Sequence, residues 1–195
     1  PPRPVYGIID CEEAVKGFWD TPEGKKKYPL VMQALRDEGY DIPEMKSYDL
    51  TDIGNAERFA DLYSDELKYF TSKGDWLYWN GKMWVDCTHL EEERYCKEIP
   101  KLIKEDAERV ADEKLKGKIL HWADNSASYP RLRNTLNTAR SDKRFAIDIT
   151  DFLSDTRYFN MQNGVLDTET FEFLPHNRKR MLSKMSNVVY DPDAK

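Results

Sequence analysis

Apolar residues spaced three and four positions apart predict that most of this chain is helical. In one clear case the apolar positions follow the order i, i+3, i+4, i+7, which is the spacing of a helix with a single buried face. These positions are Ala56, Phe59, Ala60 and Tyr63. Further helical patterns begin near Asp10, Thr21, Thr88, Lys118 and Ser128. Pro100 should break or kink the helix that follows Thr88, because a proline inside a helix removes a hydrogen bond and clashes with the preceding turn.

Two shorter stretches carry the alternation and the turn residues of β-hairpins. In the first, residues 76–85 place aromatic and apolar side chains on both sides of Asn80-Gly81. Both turn positions accept positive φ, so the sequence predicts a two-residue type I′ turn. In the second, residues 159–176, short apolar runs surround the turn residues Asn163-Gly164. The sequence therefore predicts an α+β fold, a mostly helical domain with two small antiparallel β-hairpins.

A polar connection with Pro43, residues 41–49, divides the chain into two predicted parts. Residues 1–49 are predicted to form a helical N-terminal segment. Residues 50–195 contain the remaining helices and both hairpins, and they are predicted to form the main domain. The chain stops after the exit at residues 188–193 without a capping element, so we expect a fragment cut at a domain boundary.

Composition limits the classes to which the chain can belong. Its 195 residues are 39% hydrophobic and 12% aromatic, enough to bury a core, so we expect a folded, soluble protein. No apolar run approaches the roughly 18 residues of a membrane span, and no signal-peptide pattern is present. The three cysteines form an odd, sparse set, which argues against a disulfide framework. These features predict a cytoplasmic protein without a membrane partner.

The charge distribution makes the C-terminal third the best candidate for contact with nucleic acid. The net charge of the chain is −6, which argues against a surface coated for DNA binding. Residues 1–125 carry 19 Lys/Arg and 27 Asp/Glu, a balance of −8, whereas residues 126–195 carry 11 and 9, a balance of +2. Phosphate contacts need a local basic patch rather than a positive total. Only the C-terminal third could present such a patch.

Two basic clusters in this third are candidates for DNA contact. On the helix predicted after Ser128, Arg133, Asn137 and Arg140 lie on one face. Rows of this kind are usually only solvated, but this one lies in the net-basic segment. The first cluster comprises Arg131, Arg133, Arg140, Lys143 and Arg144. The second cluster comprises Arg178, Lys179, Arg180 and Lys184.

The aromatic residues of the first hairpin allow two interpretations. Three tryptophans and a tyrosine in residues 76–84 could form a platform on which nucleic-acid bases stack. They could equally pack against the helices and against one another, because aromatic cross-strand pairs ordinarily stabilise a small ribbon. Core packing is the favoured interpretation.

Patterns that could indicate catalysis or metal binding are weak. In a strand, Asp10 and Glu12 would share a face, as the metal-holding carboxylates of a polymerase palm do. Too little chain precedes Asp10 to build a palm, and Asp10 fits better as a helix N-cap. Another possible ligand set matches no usual zinc spacing; it comprises Cys87, His89, Cys96 and His121. The Gly-Lys pairs lack the other residues of a phosphate-binding loop. We predict no metal, no cofactor and no catalytic residue in this chain.

Four stretches of the chain carry a resemblance to a known family. Together they resemble the phage and plasmid primase family, and specifically the domain directly before the superfamily-three helicase, as in poxvirus-type primase-helicases. The stretches lie in one order at sensible spacings and cover about residues 50–195. They are residues 51–59, 76–84, 160–176 and 189–194.

The resemblance implies a replication protein in which an N-terminal primase is joined to a C-terminal ring helicase, with this domain between them. Residues 1–49 would be the tail of the primase region, and the helicase would bind ATP and Mg²⁺. From the resemblance we expect weak, non-specific DNA contact, contacts with neighbouring ring subunits, and a monomeric, non-catalytic chain in isolation. Two alternatives stay open: a protein-interaction collar without DNA contact, and a metal-dependent primase remnant around Asp10.

Overall fold

The structure is a computed structural model that describes residues 30–31, 34–35, 37–39, 46–110, 112–153 and 157–193. The predicted helix start at Thr21, the helix at Asp10 and the palm interpretation of Asp10 and Glu12 lie outside the described residues. Within residues 30–37 the described positions are helical. Gly39, at φ +87°, follows this helix, and glycine adopts this left-handed conformation without strain.

The rest of the described chain contains helices and short strands in separate runs, which confirms the predicted α+β class. The helices are α1 (Asp52–Tyr63), α2 (Glu91–Cys96), α3 (Ile99–Glu108), α4 (Glu113–Ser126), α5 (Tyr129–Ala139) and α6 (Ile149–Leu153). The strands are β1 (Leu67–Phe70), β2 (Asp75–Trp79), β3 (Trp84–Asp86), β4 (Ala146–Ile147), β5 (Tyr158–Met161), β6 (Gly164–Asp167) and β7 (Phe173–Leu174). A 3₁₀ helix covers Arg178–Arg180. Within the described residues, no helix is both long and apolar enough to cross a membrane.

The chain divides into two compact units. The first comprises the chain up to Thr51 together with Lys97–Arg131, and the second comprises Asp52–Cys96 and Leu132–Lys195. The division predicted from the sequence, at residues 49 and 50, stays a prediction.

In the first unit, α3 and α4 form a helical hairpin. Asp112 is the N-cap of α4, and its Oδ1 accepts hydrogen bonds from the backbone N–H groups of Lys114 and Leu115, at 2.8 and 3.0 Å. Such a cap satisfies donors that the first turn of a helix leaves without partners. An ion pair of 2.7 Å between Lys104 and Asp124 also joins the two helices. The hairpin therefore has both a defined turn and a contact along its length.

Pro100 acts as the sequence predicts. The helix expected to run on from Thr88 is interrupted: α2 ends at Cys96, and α3 begins at Ile99 with Pro100 in its first turn. Proline is tolerated there because the first N–H groups of a helix have no partner within the helix.

The second unit contains a four-stranded sheet with the order β3-β2-β1-β4. Strands β1, β2 and β3 pair antiparallel, and β4 pairs parallel with β1. The first predicted hairpin is thus the β2–β3 part of a larger sheet. Strands β1 and β4 were not predicted, because β1 is four residues long and β4 only two.

Aromatic side chains form the core between α1 and this sheet. Phe145 lies 5.3 Å from the ring centroid of Phe59 and 5.1 Å from that of Trp76. Phe59 and Phe145 are fully buried, and Trp84 is 2% exposed. The core-packing interpretation of the first hairpin is therefore confirmed for Trp76 and Trp84.

The predicted two-residue turn at Asn80-Gly81 is wrong. Trp79 pairs with Trp84, so the loop has four residues. Asn80 Oδ1 accepts hydrogen bonds from the backbone N–H groups of Lys82 and Met83, both at 2.9 Å, and these bonds hold the longer loop. The shift places Trp84, rather than Lys82, opposite Trp79.

The second predicted hairpin is present and extends into a three-stranded antiparallel sheet with the order β5-β6-β7. Its first turn is Gln162-Asn163, one residue earlier than predicted, since Met161 pairs with Gly164. Gly164 lies in β6, where a Cβ atom would come within 2.5 Å of the Phe173 ring. Glycine is needed here for close packing rather than for the turn.

Candidate nucleic-acid interface

The arginines of the first basic cluster are largely engaged with other protein groups. Within the first unit, the guanidinium of Arg131 lies 5.0 Å from the centroid of the Trp122 ring. Within the second unit, Arg133 forms an ion pair of 3.4 Å with Glu93. Such contacts hold the cations against the protein and reduce their attraction for phosphate.

The arginines at and just after the end of α5 are engaged with protein groups in the same way. The guanidinium of Arg140 lies 5.3 Å from the centroid of the Tyr69 ring. Arg144 binds Asp61 and, at 2.5 Å, Asp142, and its hydrogen bond with Asp142 raises the pKa of the guanidinium. Lys143 differs, because its side chain is exposed. Lys143 is thus exposed, whereas the arginines of this cluster, including the exposed Arg133, contact carboxylates or aromatic rings of the protein.

The second basic cluster lies on the chain that follows β7. Arg178 binds Glu66 and donates to the carbonyl of Asp65 at 3.1 Å. The indole N–H of Trp84 donates to the carbonyl of Arg178 at 2.9 Å. Arg178 therefore fastens this part of the chain to the four-stranded sheet. The neighbouring side chain of Lys179 is exposed.

Arg180 approaches the end of β5. Its Nη1 donates to the carbonyl of Pro175 at 2.8 Å, and its guanidinium lies 5.0 Å from the centroid of the Tyr158 ring. Arg157 lies 4.8 Å from the same ring. Two guanidinium groups therefore lie against the Tyr158 ring at one end of β5.

A groove runs beside β5 and has a volume of about 540 Å³. Most of its lining side chains are apolar or aromatic, with one lysine at the surface. The residues that matter for its chemistry are Phe152, Tyr158, Phe159, Asn160, Lys184 and Met185. Among all the described residues that line it, none is Asp or Glu. Although the chain has a net charge of −6, the described part of this lining thus carries one lysine and no carboxylate.

The groove forms because an irregular segment, residues 182–188, lies along the outer edge of β5. The N–H of Ser186 donates to the carbonyl of Asn160 at 2.9 Å, and the N–H of Gln162 donates to that of Val188 at 3.0 Å. The amide of Asn160, which is 5% exposed, donates to the carbonyls of Lys184 and Lys82 at 3.0 and 3.2 Å. These bonds fix the position of Lys184 at the groove.

A second groove of about 380 Å³ adjoins the first, and Ile149, Phe152 and Ser183 line both. It contains Lys73, but this lysine binds Asp86 at 2.8 Å and Asp75 at 3.4 Å. The hydrogen bond with Asp86 raises the pKa of Lys73. Because these carboxylates compensate the charge, the second groove offers little attraction for phosphate.

Of the residues considered as metal ligands from the sequence, only Cys87 belongs to a cluster of possible ligands in the described chain. Its thiol and the carboxylates of Glu91 and Glu92 lie within 4.8 Å of one another. Cys96 instead donates to the carbonyl of Leu132 at 3.5 Å. His121, in the other unit, contacts Asn125 at 3.1 Å.

The chemistry of the Cys87 cluster is that of a protonated thiol beside carboxylates. Burial and the nearby charge of Glu92 raise the pKa of the Cys87 thiol. Burial also raises the pKa of Glu92, and a hydrogen bond with the thiol lowers it in part. The carboxylate of Glu91 accepts from the N–H of His89 at 3.0 Å, so that it caps the start of α2. Each group thus has a structural role.

The fold is that of a small α+β domain with a largely apolar groove beside one sheet, and sequence comparison assigns its family. A family model described as D5 N terminal like, the N-terminal region of phage and viral D5-type primase-helicase proteins, matches residues 56–195. The chain therefore belongs to this family, as the resemblance predicted, and is a domain related to replication primase-helicases. No curated protein matches the chain.

Sequence reasoning found the basic residues of this surface but missed the groove. It identified Arg180 and Lys184, which the structure places at Tyr158 and at the groove. It did not identify Phe152 or Phe159 as candidate contact residues. Phe159, which is exposed in β5 next to the buried Asn160, is the residue that could have indicated the groove. A single phenylalanine does not distinguish a binding site from an ordinary exposed side chain.

Proposed function

We propose that this domain joins a primase to a ring helicase in the DNA replication of a mobile element and contacts DNA with its C-terminal third. In this proposal the protein works in the cytoplasm, the helicase supplies the ATP and Mg²⁺ site, and neighbouring ring subunits are further partners. The family match supports the setting in a primase-helicase. The DNA contact itself rests on the local surface.

The observation that supports DNA contact best is the position of the second basic cluster. Lys184 lines the groove beside β5, whose described lining holds no Asp or Glu, and Arg180 lies against Tyr158 at the same groove. Lys179, which precedes Arg180 in the chain, is exposed. A compact group of cations attracts phosphates even when the whole chain is acidic. In the first cluster, Lys143 offers an additional exposed cation.

Titration of a labelled oligonucleotide tests this proposal. The variant Lys179→Glu/Lys184→Glu should bind DNA weakly, because both changes place negative charge where phosphate is expected. Arg178 is left unchanged, since its removal would also break the contact with Glu66. The matched control is Lys114→Glu/Lys118→Glu, which makes the same change of charge at two exposed lysines of α4. Equal loss of binding in both variants, or none in either, would contradict the proposal.

The salt dependence gives an independent measure of the contact. Three to five neutralised phosphates predict a slope of log affinity against log salt of about −2 to −3.5 on a single strand, at roughly −0.7 per contact. A salt-insensitive affinity would contradict a contact made through phosphates.

One observation favours the interaction collar as a second candidate function. Phe171, in the turn between β6 and β7, is 77% exposed and has a φ of +59°. Its neighbours Glu169 and Glu172 are also exposed, so this turn would repel phosphate and suits a protein partner instead. Loss of self-association or of partner binding in Phe171→Ala, with unchanged DNA affinity, would support the collar.

A further inference from the structure

We propose that the groove beside β5 holds an unpaired base of a DNA single strand, with Phe159 as the stacking surface. This inference rests on the proposed DNA contact and goes further, because it names the form of DNA and the side chain that binds a base.

The groove contains an exposed aromatic ring, that of Phe159. Phe159 is 45% exposed, while its neighbours Asn160 and Met161 are 5% and 8% exposed. Among the described residues, no other aromatic ring packs against Phe159. Phe152, which also lines the groove, makes an edge contact with Phe70 at 5.7 Å. Phe159 therefore offers a ring face held by a paired strand, which is the kind of surface on which bases stack.

Cationic side chains lie near this ring. The ring of Tyr158 lies against Arg157 and Arg180, so it is occupied by cations and leaves stacking to Phe159. Asp167 at 3.2 Å and Glu169 at 3.4 Å compensate the charge of Arg157, so Arg180 and Lys184 are the cations that could attract phosphate. Lys184 is exposed in the lining of the same groove. Cations beside an aromatic surface, with no carboxylate among the described lining residues, match a backbone phosphate next to a stacked base.

The ring and the charges at the groove favour a single strand over other occupants. In a duplex the base faces are stacked on one another, so a phenylalanine ring in a groove reaches them only where bases are unpaired. The volume of about 540 Å³ lies within the usual range for small-molecule pockets, roughly 300 to 1,000 Å³. An apolar segment of a partner protein would fit the ring but would have no use for Arg180 and Lys184. A single strand uses both features.

The experiment measures the affinity of the complete 195-residue chain for a labelled oligothymidine, for a duplex of equal length, and for an abasic strand of equal charge. Phe159→Ala should weaken binding of the oligothymidine by about 5- to 150-fold, since loss of base stacking on an aromatic ring costs roughly 1–3 kcal/mol. Binding of the abasic strand and of the duplex should change little, because neither offers a base to the ring.

Two further variants keep the result interpretable. Phe159→Leu retains an apolar side chain without a π face, and it should lose oligothymidine affinity while keeping the thermal stability of the wild type. Phe171→Ala is the matched control, because it removes an exposed phenylalanine of the same sheet region whose neighbours are acidic. Its affinity for oligothymidine should equal that of the wild type.

The outcomes separate the two proposals. If Lys179→Glu/Lys184→Glu weakens DNA binding while Phe159→Ala and Phe159→Leu bind oligothymidine like the wild type, the base site is refuted and the DNA contact stands. If the wild type binds none of the three nucleic acids, both proposals fail. If the Phe159 variants bind DNA normally but lose self-association in sedimentation, the groove is a protein contact and the base site is refuted.

Discussion

Single residues in this domain illustrate how close packing, rather than turn geometry, can require a glycine. Gly164 lies under the Phe173 ring, and Phe173 stacks on Tyr190 with centroids 4.3 Å apart. A Cβ atom at Gly164 would also come within 2.7 Å of the carbonyl oxygen of Leu174, which the pairing of β6 with β7 holds in place. The side chain of residue 164 is therefore limited to hydrogen.

We expect Gly164→Ala to lower the free energy of unfolding by about 1–3 kcal/mol, the usual cost of overpacking. Gly117→Ala is the opposite control. Gly117 lies in α4, where a Cβ atom meets nothing within 4 Å, so alanine should stabilise the helix by roughly 0.5–1 kcal/mol. Urea unfolding of the three proteins tests both effects, and a Gly164→Ala variant as stable as the wild type would show that β7 can move away.

Asp167 gives a second prediction at this scale. It is 3% exposed, it binds Arg157 at 3.2 Å, and its Oδ1 accepts from the N–H groups of Glu169 and Thr170. Burial alone would raise the pKa of Asp167, but these hydrogen bonds and Arg157 hold it below the ordinary value of 3.8. A depressed pKa contributes stability that is present above the ordinary value and is lost as the pH falls through the folded-state value.

The wild type should therefore lose part of its unfolding free energy as the pH falls below 3.8. Asp167→Asn should be less stable at neutral pH and should show a weaker decline in acid. Thermal melts of both proteins between neutral and acidic pH provide the measurement. Parallel declines in the two proteins would mean that other carboxyl groups carry the acid sensitivity.

Among the elements, the irregular segment at residues 182–188 forms backbone hydrogen bonds with strand edges, as a regular strand would. The N–H of Trp84 donates to the carbonyl of Leu182 at 2.8 Å, and Ser186 and Val188 bond to β5. The segment thus covers edge groups of β3 and of β5. Edges that lose such cover expose backbone groups that pair with other chains.

A chain ending at His176 should therefore be less stable and should aggregate more readily than the complete chain. A chain ending at Tyr190 is the control, because it keeps the stack on Phe173 and the bonds to both strands. Light scattering during a thermal ramp distinguishes them. Equal behaviour of the two truncated chains would show that the covered edges are not exposed by the deletion.

Elements with a local signal were predicted from the sequence, and those that depend on distant partners were not. The apolar spacing around Phe59 gave α1, and Pro100 gave the helix break. Strand β4 has two residues and exists because β1 lies beside it. The groove combines Ile149 and Phe152 with residues 158–160 and 182–186. No periodic pattern connects segments so far apart, so this surface required the structure.

For the whole molecule, the oligomeric state depends on the area of subunit interface that this chain can bury. Closed rings need large heterologous interfaces, and the family's ring contacts are expected mainly in the helicase. We therefore expect the isolated chain to sediment as a monomer or to associate weakly. A stable hexamer at micromolar concentration would contradict this and would move the ring interface into the present domain.

The two asparagine side chains beside glycines bear on how the protein ages. An asparagine followed by glycine deamidates readily when its side-chain carbonyl can turn towards the next backbone nitrogen. Asn80 holds its carbonyl in two hydrogen bonds within its loop, and Asn163 bonds twice to the backbone of Tyr190, at 2.9 and 3.0 Å. Folding thus restrains both sites, whereas an unfolded chain leaves them free to react. The extent of deamidation at these two positions would record the time that a stored sample has spent unfolded.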